Sequence, residues 1–279
     1  MKKVTLLLLI CLFSLALGKT LHTVKDGFSF RRIHSLKIWA SEDFNEETRN
    51  ALSQTFHYLG RGRQCFAFES ADHQYVLKFP RTDIYTTPIW MQVLPLKRYQ
   101  TKTEFTRSKR KRFVLNSFEI AHQDLKDDTA MIALHLGQSS SRKKITLIDK
   151  CGCKHQLPIG KLTFALQYKK PLLIDQFKAA HQRGDKNEVR KILDALVLVI
   201  RTRAEKGILN KDRSFLKNFA FDGEKAYQID VGSFYYNPNL SKNDATFKSM
   251  MDSIDPIQEW LKSFDPEILE YLNAKLNDT

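Results

Sequence analysis

The sequence lacks the cysteine pattern of a protein that is held together by disulfide bonds. It contains four cysteines, which are Cys11, Cys65, Cys151 and Cys153. Cys11 lies inside an N-terminal apolar run, and the other three cannot form a complete framework because their number is odd. Cys151-Gly-Cys153-Lys-His155 has the alternation of a zinc-binding strand, but no second ligand pair accompanies it. We therefore favour a β-hairpin turn at Asp149-Lys-Cys-Gly over a zinc site.

The N-terminal apolar run is shorter than the roughly 20 residues that a membrane-spanning helix needs. Lys2 and Lys3 precede this run, which extends from Val4 to Leu17, and small residues end it at Gly18. This order is typical of a secretory signal peptide. We expect residues 1–18 to direct export to the periplasm or the medium of a bacterial cell, with an uncleaved inner-membrane anchor as the alternative.

Acidic residues are too few to balance the basic ones. The chain has 45 Lys and Arg residues against 31 Asp and Glu residues, which gives a formal net charge of +14. Such an excess favours anionic partners. The basic run within Lys97–Arg112 is interpreted first as a solvated helix face. Its alternative is a patch for an anionic membrane surface, which we favour over nucleic acid as the partner.

The chain has no internal repeat, and the period of its apolar residues changes once, near Gln167. Residues 81–112 show no clean period. Strand patterns and the amphipathic helix Phe113–Leu125 precede the change, and helices follow it at 172–184 and 186–206. We predict an α+β protein with a further helix over Asp43–Phe56. Its predicted segments are an N-terminal extension (19–55), a β-rich lobe (56–166) and a small helical lobe (167–279).

Two groups of residues point to phosphate chemistry. Gly60-Arg-Gly62 is a turn before a strand, in which backbone amides can approach phosphates. Lys78 follows in an otherwise apolar strand, where its ammonium needs an anion or water. Downstream, Asp212 and Asn218 follow the helix that ends at Gly207, and Asp230 follows a short strand. The structural alternatives are an edge-strand lysine for Lys78, a turn residue for Asp212 and a strand end for Asp230.

The order of these residues resembles the signatures of the protein-kinase-like fold superfamily. Gly60-x-Gly62 is similar to its glycine loop and Val76-x-Lys78 to its lysine strand. Asp212 stands in the place of its catalytic loop and Asp230-Val-Gly232 in that of its Asp-Phe-Gly motif. The resemblance covers residues 56 to 235 and implies a bilobal α+β fold with a β-rich N-lobe and a helical C-lobe. ATP and Mg²⁺ would lie between the lobes.

Site residues follow from the resemblance, position by position. Lys78 would neutralise the nucleotide phosphates, with Gly60 and Gly62 beside it. Asp212 would act on the acceptor hydroxyl, and Asn218 and Asp230 would hold magnesium. The helix glutamate that orients Lys78 would be Glu119, which we prefer to Glu104.

The chain also departs from the family pattern. Asn210-Lys211 replaces His-Arg, and the interval from Asp212 to Asn218 is one residue longer than usual, which puts Asn218 in doubt. No Ala-Pro-Glu motif follows Gly232, and the remaining segment is short. The resemblance is therefore closer to small-substrate and lipopolysaccharide-type kinases than to Ser/Thr/Tyr protein kinases.

Three functions follow as hypotheses. The first is an ATP- and Mg²⁺-dependent phosphotransferase acting on a hydroxyl of a small, glycan or lipid-linked acceptor. The second is a catalytically inactive, kinase-like protein that binds a nucleotide or a partner. The third is a basic protein that binds membranes or nucleic acid through the Lys97–Arg112 region.

Overall fold

The computed structural model of the chain describes residues 13–14, 16–20, 22–34, 44–81, 84–85, 97–214 and 216–277. Most of the predicted signal peptide lies outside these residues. Among the described helices, none has both the length and the apolar character that crossing a membrane requires. The protein contains both helices and strands, so the predicted α+β class is confirmed.

Seven strands form one mixed sheet in the order β4-β7-β3-β2-β1-β5-β6. Their bounds are β1 (Thr55–Arg61), β2 (Cys65–Ser70), β3 (Tyr75–Pro80), β4 (Met131–His135), β5 (Lys144–Ile148), β6 (Lys154–Pro158) and β7 (Phe164–Tyr168). β1, β2 and β3 pair antiparallel in succession, whereas β1 and β5 are parallel. Two smaller antiparallel pairs join β8 (Ile208–Asn210) to β11 (Phe234–Tyr236) and β9 (Phe219–Phe221) to β10 (Ala226–Gln228).

The described α-helices are α1 (Glu46–Leu52), α2 (Lys97–Gln123), α3 (Leu173–Gln182), α4 (Lys186–Glu205), α5 (Lys242–Phe264) and α6 (Pro266–Asn277). Short 3-10 helices lie at Phe30–Arg32 and Ile159–Lys161. Side-chain caps explain several helix starts. Asp185 accepts a hydrogen bond from the amide of Glu188, and Ser241 accepts one from the amide of Asp244. Gly207 follows α4 with a φ of +72°, the left-handed conformation that favours glycine after a helix.

The chain divides into two compact units, residues 1–100 with 135–166 and residues 101–134 with 167–279. The first has an aromatic core on one face of β1–β3, where Phe66, Phe68 and Phe79 are fully buried. The second is built around the apolar stripe of α4, from Val189 to Ala204, against α3, α5 and α6. The predicted segment boundaries at residues 18, 55 and 166 stay predictions.

Two element predictions were wrong at their boundaries. The helix expected over Asp43–Phe56 ends at Leu52, and Thr55 already belongs to β1, because Phe56 completes the aromatic core of the sheet. The helix expected from Phe113 begins at Lys97. Its first four turns are polar on every side and therefore lack the apolar period that marks a helix in a sequence.

The hairpin interpretation of the cysteine segment is confirmed. β5 and β6 pair antiparallel, and the turn between them is closed by a hydrogen bond of 3.0 Å from the amide of Asp149 to the carbonyl of Cys153. The buried Asp149 carboxylate accepts further bonds from the amides of Cys151 and Cys153 and pairs with the His155 ring. Burial alone would raise the pKa of Asp149, but these partners outweigh it and hold the pKa below its ordinary value.

Candidate functional site

In the first unit, the predicted glycine turn and the predicted lysine belong to one row of the sheet. Gly60 on β1 pairs with Ala67 on β2, and Ala67 pairs in turn with Lys78 on β3. Adjacent strands lie about 4.8 Å apart, so the Gly60 and Lys78 backbones are separated by about 10 Å. Residues of one row point to the same face, and the two residues that follow Lys78 in this row toward β1, Ala67 and Gly60, carry almost no side chain.

This row lies on the face of the sheet opposite the aromatic core. Leu77 and Phe79, which flank Lys78 in sequence, are fully buried, whereas Lys78 is half-buried. The prediction that Lys78 points away from these two residues follows the alternation of a strand and agrees with this burial. The role of Lys78 in binding phosphate stays a prediction.

The prediction of a turn at Gly60 was wrong, because Gly60 belongs to β1 and only Gly62 lies in the connection to β2. The fold itself does not require glycine at either position. A Cβ atom on Gly60 would meet nothing within 4 Å, and one on Gly62 would meet only the Cys65 carbonyl at 3.7 Å. Neither glycine adopts a positive φ. The β1–β2 pairing shifts register between Tyr58 and Gly60, which is a β-bulge, and the Gly62 amide donates to Cys65 O at 2.9 Å. Packing and backbone strain therefore do not explain the two glycines.

In the second unit, the loop after β8 holds Asp212 through its own side chains. The buried Asn210 side chain accepts a hydrogen bond of 3.1 Å from the Asp212 amide. The Asp212 carboxylate accepts one of 2.9 Å from the Ser214 amide. The Lys211 amide donates to Ser233 O at 3.0 Å, next to the β8–β11 pair. Asp212 is half-buried, so its second carboxylate oxygen can meet a ligand.

Asn218 and Asp230 lie directly beside each other, although twelve positions separate them in sequence. The carbonyl of Asn218 accepts hydrogen bonds from the amides of Ile229 at 2.8 Å and Asp230 at 3.4 Å. The β9–β10 hairpin between them causes this, because it pairs Phe219 with Gln228. The interval from Asp212 to Asn218 precedes this hairpin and is not part of the pairing that brings Asn218 to Asp230. The longer interval therefore does not displace Asn218 from Asp230.

The side chains of this pair are in different environments. Asn218 is 5% exposed, and its amide nitrogen has no hydrogen-bond partner in the described part of the chain. Asp230 is exposed, and its carboxylate accepts a bond of 3.4 Å from the Gly232 amide. A buried donor without a partner costs free energy, so the Asn218 amide nitrogen is available to an acceptor such as a water or a ligand oxygen.

The predicted glutamate helix contacts the segment that follows Asp230. Ser117 on α2 donates a short hydrogen bond to the Val231 carbonyl and accepts one of 2.5 Å from the Phe234 amide. Glu119, two residues further along α2, is half-buried, whereas Glu104 is exposed. The structure thus places Glu119 on the part of α2 that packs in the second unit, while its pairing with Lys78 stays a prediction.

Sequence reasoning missed a buried arginine beneath this site. Arg203 on α4 is 1% exposed and donates to the Gln228 side chain, to Ser249 and, at 2.6 Å, to the Ser253 hydroxyl. Ser249 also donates to Ile208 O at 2.8 Å, so the network reaches β8. Burial lowers the pKa of Arg203 to about 10, against the opposing effect of Asp252. The sequence did contain a signal, since Arg203 continues the buried stripe of Leu196 and Ile200.

The residues present fit a magnesium ion that arrives with a nucleotide better than a resident metal. Among the described residues there is no cluster of three or more His, Cys, Asp or Glu side chains that could hold a metal. Asn218 and Asp230 offer one amide and one carboxylate. Mg²⁺ is commonly bound by one or two protein oxygens together with substrate phosphates and water. A two-residue set is therefore sufficient for that mode of binding.

Comparison with known proteins finds only distant similarity. No family model matches the sequence, and no curated protein matches it. Among solved structures, a 2.2 Å crystal structure of WbdD matches with a TM-score of 0.34 and 18% identity over 70% of this chain. A second structure, described as the bifunctional kinase-methyltransferase WbdD, matches with a TM-score of 0.35 and 18% identity over 67% of this chain.

This chain spans 36% and 34% of those two WbdD chains, about a third of their length. The match to a protein described as a kinase-methyltransferase is the kind of distant similarity that the predicted resemblance leads us to expect.

Proposed function

We propose that this protein is a phosphotransferase of the bilobal kinase-like fold, which uses ATP and Mg²⁺ to phosphorylate a hydroxyl of a small, glycan or lipid-linked acceptor. The observation that carries the proposal is the adjacency of Asn218 and Asp230, which the β9–β10 hairpin produces. An amide oxygen and a carboxylate at neighbouring positions suit a divalent ion on a phosphate chain, and the unpartnered amide nitrogen of Asn218 can donate to a phosphate oxygen.

Each residue has a distinct part in this reaction. Asp230 and Asn218 would hold the ion through their side-chain oxygens, and Lys78 would direct its ammonium at phosphate oxygens. The Asp212 carboxylate would orient the acceptor hydroxyl and accept its proton as the new oxygen–phosphorus bond forms, while the bond between the γ-phosphorus and the β,γ-bridging oxygen of ATP breaks and ADP leaves. When bound, Mg²⁺ neutralises charge on the phosphates. The row Gly60–Ala67–Lys78 supports this assignment, since the residues on its β2 and β1 side carry almost no side chain.

The test is nucleotide-dependent thermal stabilisation followed by turnover. At a hundredfold excess over Kd, a ligand stabilises the folded state by about 2.7 kcal/mol. For a chain of this size that corresponds to a rise in Tm of about 5 °C or more. The rise should require both ATP and Mg²⁺ and should be lost in Asp230→Ala. Glu259→Ala is the matched control, because Glu259 is an exposed carboxylate of the same unit.

The second candidate, a nucleotide-binding protein without activity, predicts a different pattern. It rests on Asn210-Lys211, which stands where the kinase pattern has His-Arg. In that case ATP and Mg²⁺ would stabilise the wild type, but no acceptor-dependent ATP consumption would appear. Absence of any Mg²⁺-dependent stabilisation would contradict both candidates.

A further inference from the structure

The first half of α2 is the most basic element of the described chain. Its basic segment, Thr101–Arg112, contains six basic residues and a single acidic one, so it carries a net charge of +5 out of +14 for the whole chain. The basic residues are Lys102, Arg107, Lys109, Arg110, Lys111 and Arg112. All twelve residues are helical, and nine of them are exposed. A helix that is polar on all sides gains little from packing.

Most of these cations have no acidic partner. Lys102, Lys109, Arg110, Lys111 and Arg112 form no ion pair with any residue that the structure describes. Like charges three and four positions apart on a helix destabilise it. Fixing this segment as a helix therefore concentrates positive charge without compensation from the residues that the structure describes, and an external anionic surface would relieve that repulsion.

One side of the basic segment combines cations with an aromatic ring. Lys102, Phe105, Lys109 and Arg112, which we call the outer stripe, fall within about 80° of the helix circumference and extend over about 15 Å. Phe105 is 58% exposed, and the Lys109 ammonium lies 4.3 Å from the centre of its ring. The three cations are exposed as well. The buried residues of α2, such as Val114 and Phe118, point to the other side.

We propose that the outer stripe docks the protein on an anionic phospholipid surface. Charge complementarity identifies an anionic partner, because polybasic segments are attracted to acidic leaflets. The exposed ring favours lipid over nucleic acid, since a flat membrane accepts an aromatic side chain at its interface while flanking cations contact the headgroups. This docking does not depend on the phosphotransferase proposal, and the two can fail separately.

The test measures binding of the full chain to vesicles of pure phosphatidylcholine and of phosphatidylcholine with about one third phosphatidylserine. The apolar run Val4–Leu17 would enter both kinds of vesicle, so the ratio of the two affinities isolates the electrostatic contribution. We expect a strong preference for the acidic vesicles at about 0.1 M salt, lost at about 1 M, where the screening length falls to about 3 Å.

Three variants locate the effect. Each basic residue near an acidic leaflet strengthens binding about fivefold, so the triple variant Lys102→Gln, Lys109→Gln, Arg112→Gln should bind acidic vesicles about 100-fold more weakly. The matched control Arg142→Gln, Lys143→Gln, Lys144→Gln removes three exposed cations from the first unit and should change binding less than fivefold, about the effect of one residue. Phe105→Trp adds a tryptophan emission to that of the wild type. This added emission should shift to the blue only on acidic vesicles.

Folding of the variants is checked by circular dichroism, and Lys102→Arg with Lys109→Arg should retain wild-type binding because both charges remain. Equal weakening in the two triple variants would overturn the proposal, since binding would then follow net charge alone. Duplex DNA that binds more tightly than acidic vesicles at equal phosphate concentration, with no contribution from Phe105, would also overturn it in favour of a nucleic-acid surface.

Discussion

Replacing Arg203 with methionine tests the buried network beneath the candidate site. Methionine is unbranched and fills the volume of the arginine stem, so the change mainly removes the guanidinium. The partners of that group are the Gln228, Ser249 and Ser253 side chains and the Ser249 carbonyl, all neutral, so no buried carboxylate loses its counter-charge. The penalty of several kcal/mol that follows the loss of one member of a buried ion pair therefore does not apply in full.

The size of the effect follows from which groups lose their partner. The Ser249 hydroxyl still donates to Ile208 O at 2.8 Å, and the Ser253 hydroxyl still donates to Ser249 O at 2.9 Å. Only the side-chain oxygen of Gln228 is left buried without a donor. An orphaned buried acceptor costs about 1–3 kcal/mol, so we expect Arg203→Met to lower the free energy of unfolding by about 2 kcal/mol.

The double variant Arg203→Met, Gln228→Leu makes this reasoning testable. Leucine removes the orphaned acceptor, so the double variant should recover most of the loss and unfold within about 1 kcal/mol of wild type. Urea-induced unfolding followed by circular dichroism gives both values. Arg201→Met is the control, because Arg201 lies on the same helix but donates to no described acceptor. A double variant no more stable than the single variant would refute the orphaned-acceptor explanation.

Further predictions concern glycines, a hydroxyl and a surface carboxylate. Gly160→Ala should destabilise the fold by about 2 kcal/mol in urea unfolding, because its Cβ would lie 2.4 Å from the Ser139 carbonyl. Gly60→Ala meets no atom within 4 Å and should leave stability unchanged, yet weaken ATP binding in the thermal-shift assay if amides of that turn approach phosphate. Ser117→Ala should cost about 2 kcal/mol of unfolding free energy, since the Val231 carbonyl and Phe234 amide lose their shared partner. Burial raises the pKa of Asp222, but the Lys170 ammonium at 2.7 Å and further donors outweigh it and lower the pKa strongly. Asp222 therefore contributes stability above its ordinary pKa near 4 that is lost as pH falls, and the urea-unfolding gap between wild type and Asp222→Asn should shrink below about pH 4.

The sequence predicted those parts of the fold that depend on local patterns. Strand alternation placed Lys78 opposite Leu77 and Phe79, and the stripe of α4 with Gly207 at its end predicted that helix closely. The register that joins Gly60 to Lys78 through Ala67 was not predictable, because it depends on pairing between strands distant in sequence. The basic run in the first turns of α2 was interpreted correctly as a solvated helix face, but the start of the helix at Lys97 was not predicted, since a helix without an apolar face has no period to detect.

The segment Asn210-Lys211, which differs from the kinase pattern, is held in place by contacts of its own. Where the kinase pattern places a histidine and an arginine, the Asn210 side chain holds the Asp212 amide, and the Lys211 backbone bonds to Ser233 beside the β8–β11 pair. The Lys211 ammonium lies 4.2 Å from the Phe113 ring and 5.1 Å from the Tyr235 ring, which fixes it against apolar surface.

The position of Asp212 is therefore maintained by neutral and aromatic contacts. The absence of His and Arg at positions 210 and 211 is weak evidence for an inactive protein, because the Asp212 loop is anchored without them. What separates an enzyme from a nucleotide-binding relative is the chemistry of Asp212 itself. Asp212→Asn preserves the size of this side chain and its acceptor for the Ser214 amide while removing the base. If turnover disappears in this variant and nucleotide binding persists, the loop is catalytic despite its altered sequence.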